Sequence, residues 1–324
     1  MKKMYMFLMA FMLSLPVLAA KNEAPKASCS DDTLKIGTGP AGKGYSKLFS
    51  DINKVCGSVV PICEVNTSGG LDNLTGLSVN EQDIGLTQID TVIHMQNGDE
   101  NIKELLAIMS INSNFLHMIV SSNGYTVETK KWGGISKDVT TEFIKKASDM
   151  KGKTVALVGS AQLLGRKLND QFGLGMNIID AKSDGDAFMM VRKGQAHAAW
   201  SVSGWPSGPV SSLGSGDGLT LVPFDLMANT PYNVKPVNYK NLGVYNVQVL
   251  GIPNVLMTRP FKGEKVAMVS KLKGCIKTNM VKLQEGSYQP AWKEVKDVEN
   301  TYGWAKFQGD STKTANVGNV KVKK

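Results

Sequence analysis

The sequence predicts an α/β protein of two lobes, each a mainly parallel sheet flanked by helices. Three observations predict it. Apolar runs alternate with amphipathic stretches from Leu34 to Asp90 in βαβαβ order, the signature of a parallel sheet with helices on its faces. The same pattern restarts at Lys151 with KGKTVALVGS. Helical periodicity returns after Gly263, as in a hinged, two-lobed receptor whose cleft lies at the carboxyl ends of the strands.

The elements follow in order. LKIGTG, from Leu34, is a strand entering a glycine-rich turn. YSKLFSDINKVC is a helix with Leu48, Phe49, Ile52 and Val55 on one side. VVPICEV is a second strand, ending in the turn NTSGG. LDNLTGLSV is a short helix, and DIGLTQID a third strand. LLAIMSI and FLHMIV are apolar enough for two buried strands. TTEFIKKASDM, from Thr140, reads as a helix inside a polar stretch. The second unit then runs strand (KGKTVALVGS), helix (AQLLGRKLNDQFG), strand (NIIDA), helix (GDAFMMVRKG) and strand (AHAAWSVSGWP). Extended character resumes at YNVQVLGIPNVLMTRP, followed by helices expected over 263–285 and 289–300. This places the first lobe at 30–123 and 224–308, and the second at 124–223.

The first twenty residues carry Lys2 and Lys3, an apolar core from Tyr5 to Leu15, and small residues at Ala19 and Ala20. This is the layout of a signal peptide over 1–20, cleaved near Ala19 or Ala20. A retained anchor is the alternative, although the apolar core is short for a bilayer. No Cys stands at the cleavage point to take a lipid. The expected location is the periplasm. Loss of Lys2 and Lys3 lowers the formal charge from +9 to +7, a scattered excess that reads as a solvated surface. The tail 309–324 lacks periodicity and aromatics and reads as disordered.

Cys29, Cys56, Cys63 and Cys275 form an even set, which in an oxidising compartment predicts two disulfides. Cys56 and Cys63 flank the connector GSVVPI, so the expected pairs are Cys56–Cys63 and Cys29–Cys275. The short loop would add about 2–3 kcal/mol of stability. No metal is expected: CxxC is absent and His94, His117 and His197 are dispersed. No enzymatic signature is present either, neither a G-x-S-x-G elbow nor HExxH. Basic residues are not clustered with aromatics, so no nucleic-acid partner is expected. The run from Gly37 through Gly39 to Gly42 fits G-x-G-x-x-G, but the acidic residue a ribose needs is out of place, with Glu64 inside the next strand. Gly42-Lys43 is followed by Gly44, not by the hydroxyl residue of a phosphate-binding loop. No cofactor is therefore expected.

Five segments keep order and approximate spacing: IGTGPAGKGY at 36–45, NTSGGLDNL at 66–74, DIGLTQIDTV at 83–92, MKGKTVALVGS at 150–160 and VRKGQAHAAWSVSGWP at 191–206. Together the set resembles the TAXI family, the solute receptors of one branch of the TRAP transporters. The resemblance implies a type II periplasmic binding protein fold. It also implies a small carboxylate or amino-acid solute, such as glutamate or glutamine, handed to the membrane permease subunits of a TRAP transporter. The chain departs from the family pattern at Pro40 and Ala41, at Gly70, at Ser160–Gln162 and at Gln195–His197, and Tyr125–Asp149 is longer. Several turn hydroxyls are thereby lost. A receptor-fold sensor or partner-binding module without transport duty is the alternative.

The candidate ligand residues come from the strand ends. Thr38, Gly39, Gly42 and Gly44 belong to a turn able to bring backbone N–H groups to a carboxylate. Ser68, Gly69, Gly70 and Asn73 offer the same at the second turn. Charge-assisted bonds of this kind contribute about 1.5–3 kcal/mol each. Gln88 and Asp90 end the third strand; Asp90 either accepts from an ammonium group or caps the next helix. Ser160, a good N-cap, and Gln162 face them from the second lobe. Tyr45, Trp205 and the strand-tip Ser203 would wall the pocket.

Overall fold

The structure is a computed structural model and describes residues 29–130, 137–226 and 232–309. The expected leader over 1–20 lies outside the described residues, as does the expected tail beyond Gly309.

The first unit runs β1 (Leu34–Gly37), α1 (Gly44–Cys56), β2 (Ile62–Val65), α2 (Gly70–Ser78), β3 (Ile84–Gln88), α3 (Ile89–Met95) and α4 (Glu100–Lys103). β1 pairs in parallel with both β2 and β3. On α1 the stripe Leu48, Ile52 and Cys56 is buried with Phe49, the helical spacing that turns one face to a core. Gly70 lies against β3: a Cβ there would stand 2.9 Å from Thr87 Oγ1 and 3.2 Å from its Cα.

The chain then crosses over on β4 (Leu106–Ser121), a single 16-residue strand where two were expected. A ribbon follows, β5 (Tyr125–Lys130) against β6 (Lys137–Glu142). The helix expected at TTEFIKKASDM is absent. Its β-branched Thr140 and Thr141 pair with Val127 and Thr126 in the ribbon, and only a 3-10 turn forms at Ala147–Met150. The second unit is β7 (Thr154–Val158), α5 (Ala161–Phe172), β8 (Asn177–Ala181), α6 (Asp184–Arg192), β9 (Ala198–Ser203), α7 (Gly208–Ser211) and β10 (Leu219–Val222). Here β7 pairs in parallel with β8 and β9. β11 (Asn233–Tyr239) and β12 (Val244–Thr258) bring the chain back, and α8 (Glu264–Thr278) and α9 (Met280–Glu285) close it.

The main sheet has the order β2-β1-β3-β12-β4-β9-β7-β8. Its two outer thirds are parallel units. Its middle is the antiparallel pair β4 and β12, and each of these strands serves both units. At one end β12 pairs with β3; at the other β4 pairs with β9. Two buried apolar clusters flank the first unit, one containing Ile36, Ile52 and Leu272, the other Leu77, Val92 and Val255. Two more flank the second, one around Trp200 and Leu164, the other around Phe188 and Tyr239. The expected two-lobed α/β class is therefore the observed one.

Two further expectations are corrected. The segment 289–300 is not a helix. Pro290 opens a 3-10 turn over Pro290–Glu294, and the buried Asp51 carboxylate pins it, accepting from Gln289 N–H at 2.8 Å and Trp292 Nε1 at 3.1 Å. The disulfides are Cys29–Cys63 and Cys56–Cys275, with Cα separations of 5.8 and 5.9 Å, in place of Cys56–Cys63 and Cys29–Cys275. Cys56 sits on the buried stripe of α1 that faces α8. Cys63 lies within β2, beside the segment leading into β1. Close in sequence, the two residues belong to elements that present them to different neighbours.

Candidate functional site

The strand registers locate the cleft. Gln88, at the end of β3, lies opposite Asn254 of β12. Ser203, at the end of β9, lies opposite Phe115 of β4, itself opposite Gly251. The carboxyl ends of the parallel strands of both units thus point at the crossing segment, residues 111–114 and 251–254. This is where open α/β sheets hold ligands.

The floor of the cleft is polar and buried. Between Pro253 and Val255 the pairing with β4 slips, so that Ile111 and Asn112 oppose the single Asn254. Such a bulge accommodates Pro253, which has no N–H for a ladder. Asn254 Nδ2 donates to Asn112 Oδ1 at 3.1 Å, and Asn254 Oδ1 accepts from Tyr45 Oη at 2.8 Å. Burial, with the nearby Asp90 charge, raises the Tyr45 pKa above the ordinary tyrosine value, so the ring stays neutral.

Asp90 is 3% exposed. Its carboxylate accepts from Thr91 N–H at 2.9 Å and from Tyr232 Oη at 3.0 Å. Tyr232 stands just ahead of β11 and packs with the second unit's core, so this bond joins the two units. Lys167 of α5 lies with its Nζ 5.6 Å from the Tyr232 ring. Burial pushes the Asp90 pKa up, against the pull of Lys167 and of its hydrogen bonds. Asp90 is both a first-turn residue of α3 and a bridge between the lobes. Two residues before it in the chain, Gln88 is buried and its Nε2 has no hydrogen-bond partner among the described residues. A buried amide donor left open is costly unless something accepts from it.

The glycine turns are more occupied than bare loops. Gly42 N–H donates to Ser46 Oγ and Lys43 N–H to Pro40 O. Thr38 Oγ1 donates to Glu64 at 2.9 Å. Asn73 is fully buried; its amide donates to Thr38 O and to Leu86 O at 2.7 Å, and it accepts from Thr67 Oγ1 at 2.7 Å. It therefore clips the two turns and β3 together. Ser68 is exposed, with its N–H held by Asp72. Gly69 has φ 134°, a value that favours glycine, and its N–H goes to Thr67 Oγ1. Gly39 packs near Gly69 and Tyr45. Gly44 opens α1, which has neither a side-chain cap nor an acidic residue in its first turn.

Across the cleft, Ser160 is exposed and makes no capping bond, while Gln162 is half-buried one position into α5. Ser203 and Tyr239 flank the buried His117. Tyr239 Oη accepts from Ser207 N–H at 2.8 Å and is hydrogen-bonded to His117 Nε2 at 2.7 Å. The Nδ1 of His117 lies 3.5 Å from Ser203 Oγ. Burial depresses the His117 pKa to about 4. Trp205 Nε1 and Ser207 Oγ, both buried, have no partner. Among the described residues, no group of His, Cys, Asp or Glu is arranged to hold a metal ion.

Sequence reasoning missed Asn112, Asn114, Lys167, Tyr232 and Asn254. One signal was available: INSN is a polar interruption in an otherwise apolar run.

Two α/β lobes, strand ends converging on a buried polar floor and a carboxylate bridging the lobes define a two-lobed α/β fold with a polar cleft between its halves. No protein-family model matches the chain, and no curated protein matches it. Among solved structures, an ancestral arginine-binding protein bound to arginine matches at TM-score 0.47 and 14% identity, over 81% of this chain and 97% of that one. The GLUR0 ligand-binding core in complex with L-glutamate matches at 0.46 and 9%, over 77% and 95%. An ATP phosphoribosyl transferase complex from Thermotoga maritima matches at 0.44 and 15%, over 76% and 100%. Likenesses this distant carry no functional argument, and the site's own geometry has to supply it.

Proposed function

We propose that this protein is an extracytoplasmic receptor that closes on a small amino-acid-like solute and delivers it to a TRAP-type importer. The observation that carries the binding step is the Asp90 carboxylate, buried where the lobes meet, with the open amide of Gln88 two residues before it in the chain. An ammonium group has a ready acceptor in Asp90. A carboxylate or amide carbonyl has a donor in Gln88 Nε2, a cation in Lys167, and the uncapped start of α1 at Gly44 and Tyr45. The reading assigns Ser160, Gln162, Ser203 and Trp205 to the facing wall. Residues 232–250 pack with the second lobe, so the hinge is proposed at 111–114 and 251–254. Delivery to a TRAP permease and a periplasmic location rest on the five sequence motifs and the leader. No helix among the described residues is long and apolar enough to cross a membrane.

One observation favours the second reading, a partner-binding module. The N–H groups of Gly42, Lys43, Ser68 and Gly69 already have acceptors, which leaves fewer of them for an anion.

Thermal denaturation of refolded mature protein against glutamate, glutamine, 2-oxoglutarate, succinate and other amino acids separates the two. At about a hundredfold excess over Kd, a solute stabilises by about 2.7 kcal/mol. The receptor reading expects a dose-dependent rise with one solute class, abolished in Asp90→Asn for solutes bearing an ammonium group. A flat response from folded protein leaves the module reading in its place.

A further inference from the structure

The end of α8, the helix α9 and the segment after it enclose a groove of about 550 Å³. Met280, Val295 and Val298 are its apolar lining residues. Its rim is basic, carrying Lys277, Lys293 and Lys296 against one acid, Asp297. That acid is partly used, since Asp297 Oδ1 accepts from Glu299 N–H at 2.9 Å. Lys277 is neutralised by Glu299 at 2.6 Å, which also holds Lys273 and Lys306. Lys293 and Lys296 are exposed, and no ion pair to either is formed among the described residues. The walls are rigid. Cys275 ties α8 to α1 through Cys56. Gln284 Nε2 binds the carbonyls of Trp292 at 3.3 Å and Val295 at 2.9 Å, locking the far wall to α9.

We infer that this groove is a docking site for an acidic segment of a partner protein, one that places an apolar side chain on the apolar lining and carboxylates against Lys293 and Lys296. Charge complementarity selects the occupant. The chain's own C-terminal stretch after Asp310 carries Lys313, Lys321, Lys323 and Lys324 and no acidic residue, so like charge keeps it out. A concave, apolar lining suits a peptide side chain better than a lipid surface, which a basic convex face would meet.

The test uses the mature protein and a fluorescein-labelled peptide of alternating glutamates and leucines, followed by anisotropy at low salt. Binding is expected, and it should weaken about tenfold in the pair Lys293→Glu and Lys296→Glu, whose reversed charges face the peptide. The control pair Lys182→Glu and Lys193→Glu makes the same charge change on the other lobe and should stay within about twofold. A peptide with glutamines for glutamates should not bind. Equal weakening in both pairs would reduce the effect to net charge and overturn the proposal. So would absence of peptide binding, or capture by phosphatidylglycerol vesicles through Lys293 and Lys296 with the peptide unbound. Solute-induced thermal shifts should be unchanged in Lys293→Glu and Lys296→Glu, which keeps this result separate from the cleft reading.

Discussion

His117 is fully buried, and its neighbours are a tyrosine, serines and backbone. Its pKa of about 4 lies below the ordinary 6.5. Between those values the unfolded chain binds a proton that the folded chain excludes, so stability falls as pH drops through that window. The loss amounts to about 3 kcal/mol once both values are passed. Urea denaturation at neutral and mildly acidic pH should show a smaller fall in His117→Gln than in the parent. Equal falls would remove His117 from the acid response. Asn73 makes a second residue-scale prediction. Truncation in Asn73→Ala leaves Thr38 O and Leu86 O without their donor, at a cost of about 2–3 kcal/mol, read as a lower denaturation midpoint. Gln88 and Asp90 stand out in the sequence because they form a short polar tip after an apolar run, and Asn73 because it follows a glycine turn. Tyr232 does not. Its bond to Asp90 spans 142 positions, and periodicity reports only on neighbours within a turn or two.

At the scale of elements, the crossing pair is the least regular part of the sheet and the part that both lobes share. Gly251–Asn254 and Ile111–Asn114 bring a proline, a bulge and three asparagines to one place. The alternation of strands and helices in both units was readable because hydrophobic period changes from two to 3.6 along the chain. The break at INSN was readable too, but as a gap between strands. A single sequence carries no mark that a polar stretch continues a ladder whose partner is more than a hundred residues away. The expected helix at Thr140 failed for a related reason, because pairing with β5 overrides local pattern. Helix packing gives the element-scale prediction. Gly70→Ala pushes a methyl against Thr87 at the junction of α2 and β3 and should lower stability by about 1–3 kcal/mol. An unchanged melting temperature would mean that the two elements part easily there.

For the whole molecule, the two disulfides close loops of very different length, with separations of 34 and 219 residues. On the chain-entropy account they stabilise by about 4 and about 5 kcal/mol. Replacing Cys56 and Cys275 with alanine should therefore lower the melting temperature more than replacing Cys29 and Cys63, and the reverse order would point to native-state packing as the larger contribution. The cysteine count announced two bridges; spacing alone misassigned them, because sequence proximity says nothing about the face from which a side chain leaves its helix or strand.

Both bridges also lie on the same side of the crossing strands, joining α1, α8, β2 and the segment before β1. The other half of the sheet carries no disulfide. Amide protons in β7, β8 and α5 are then expected to exchange with solvent through an opening smaller than global unfolding, while those in β1 and α1 wait for the whole chain. Reduction should erase that difference. In an oxidising compartment the molecule would thus have one durable half and one that breathes.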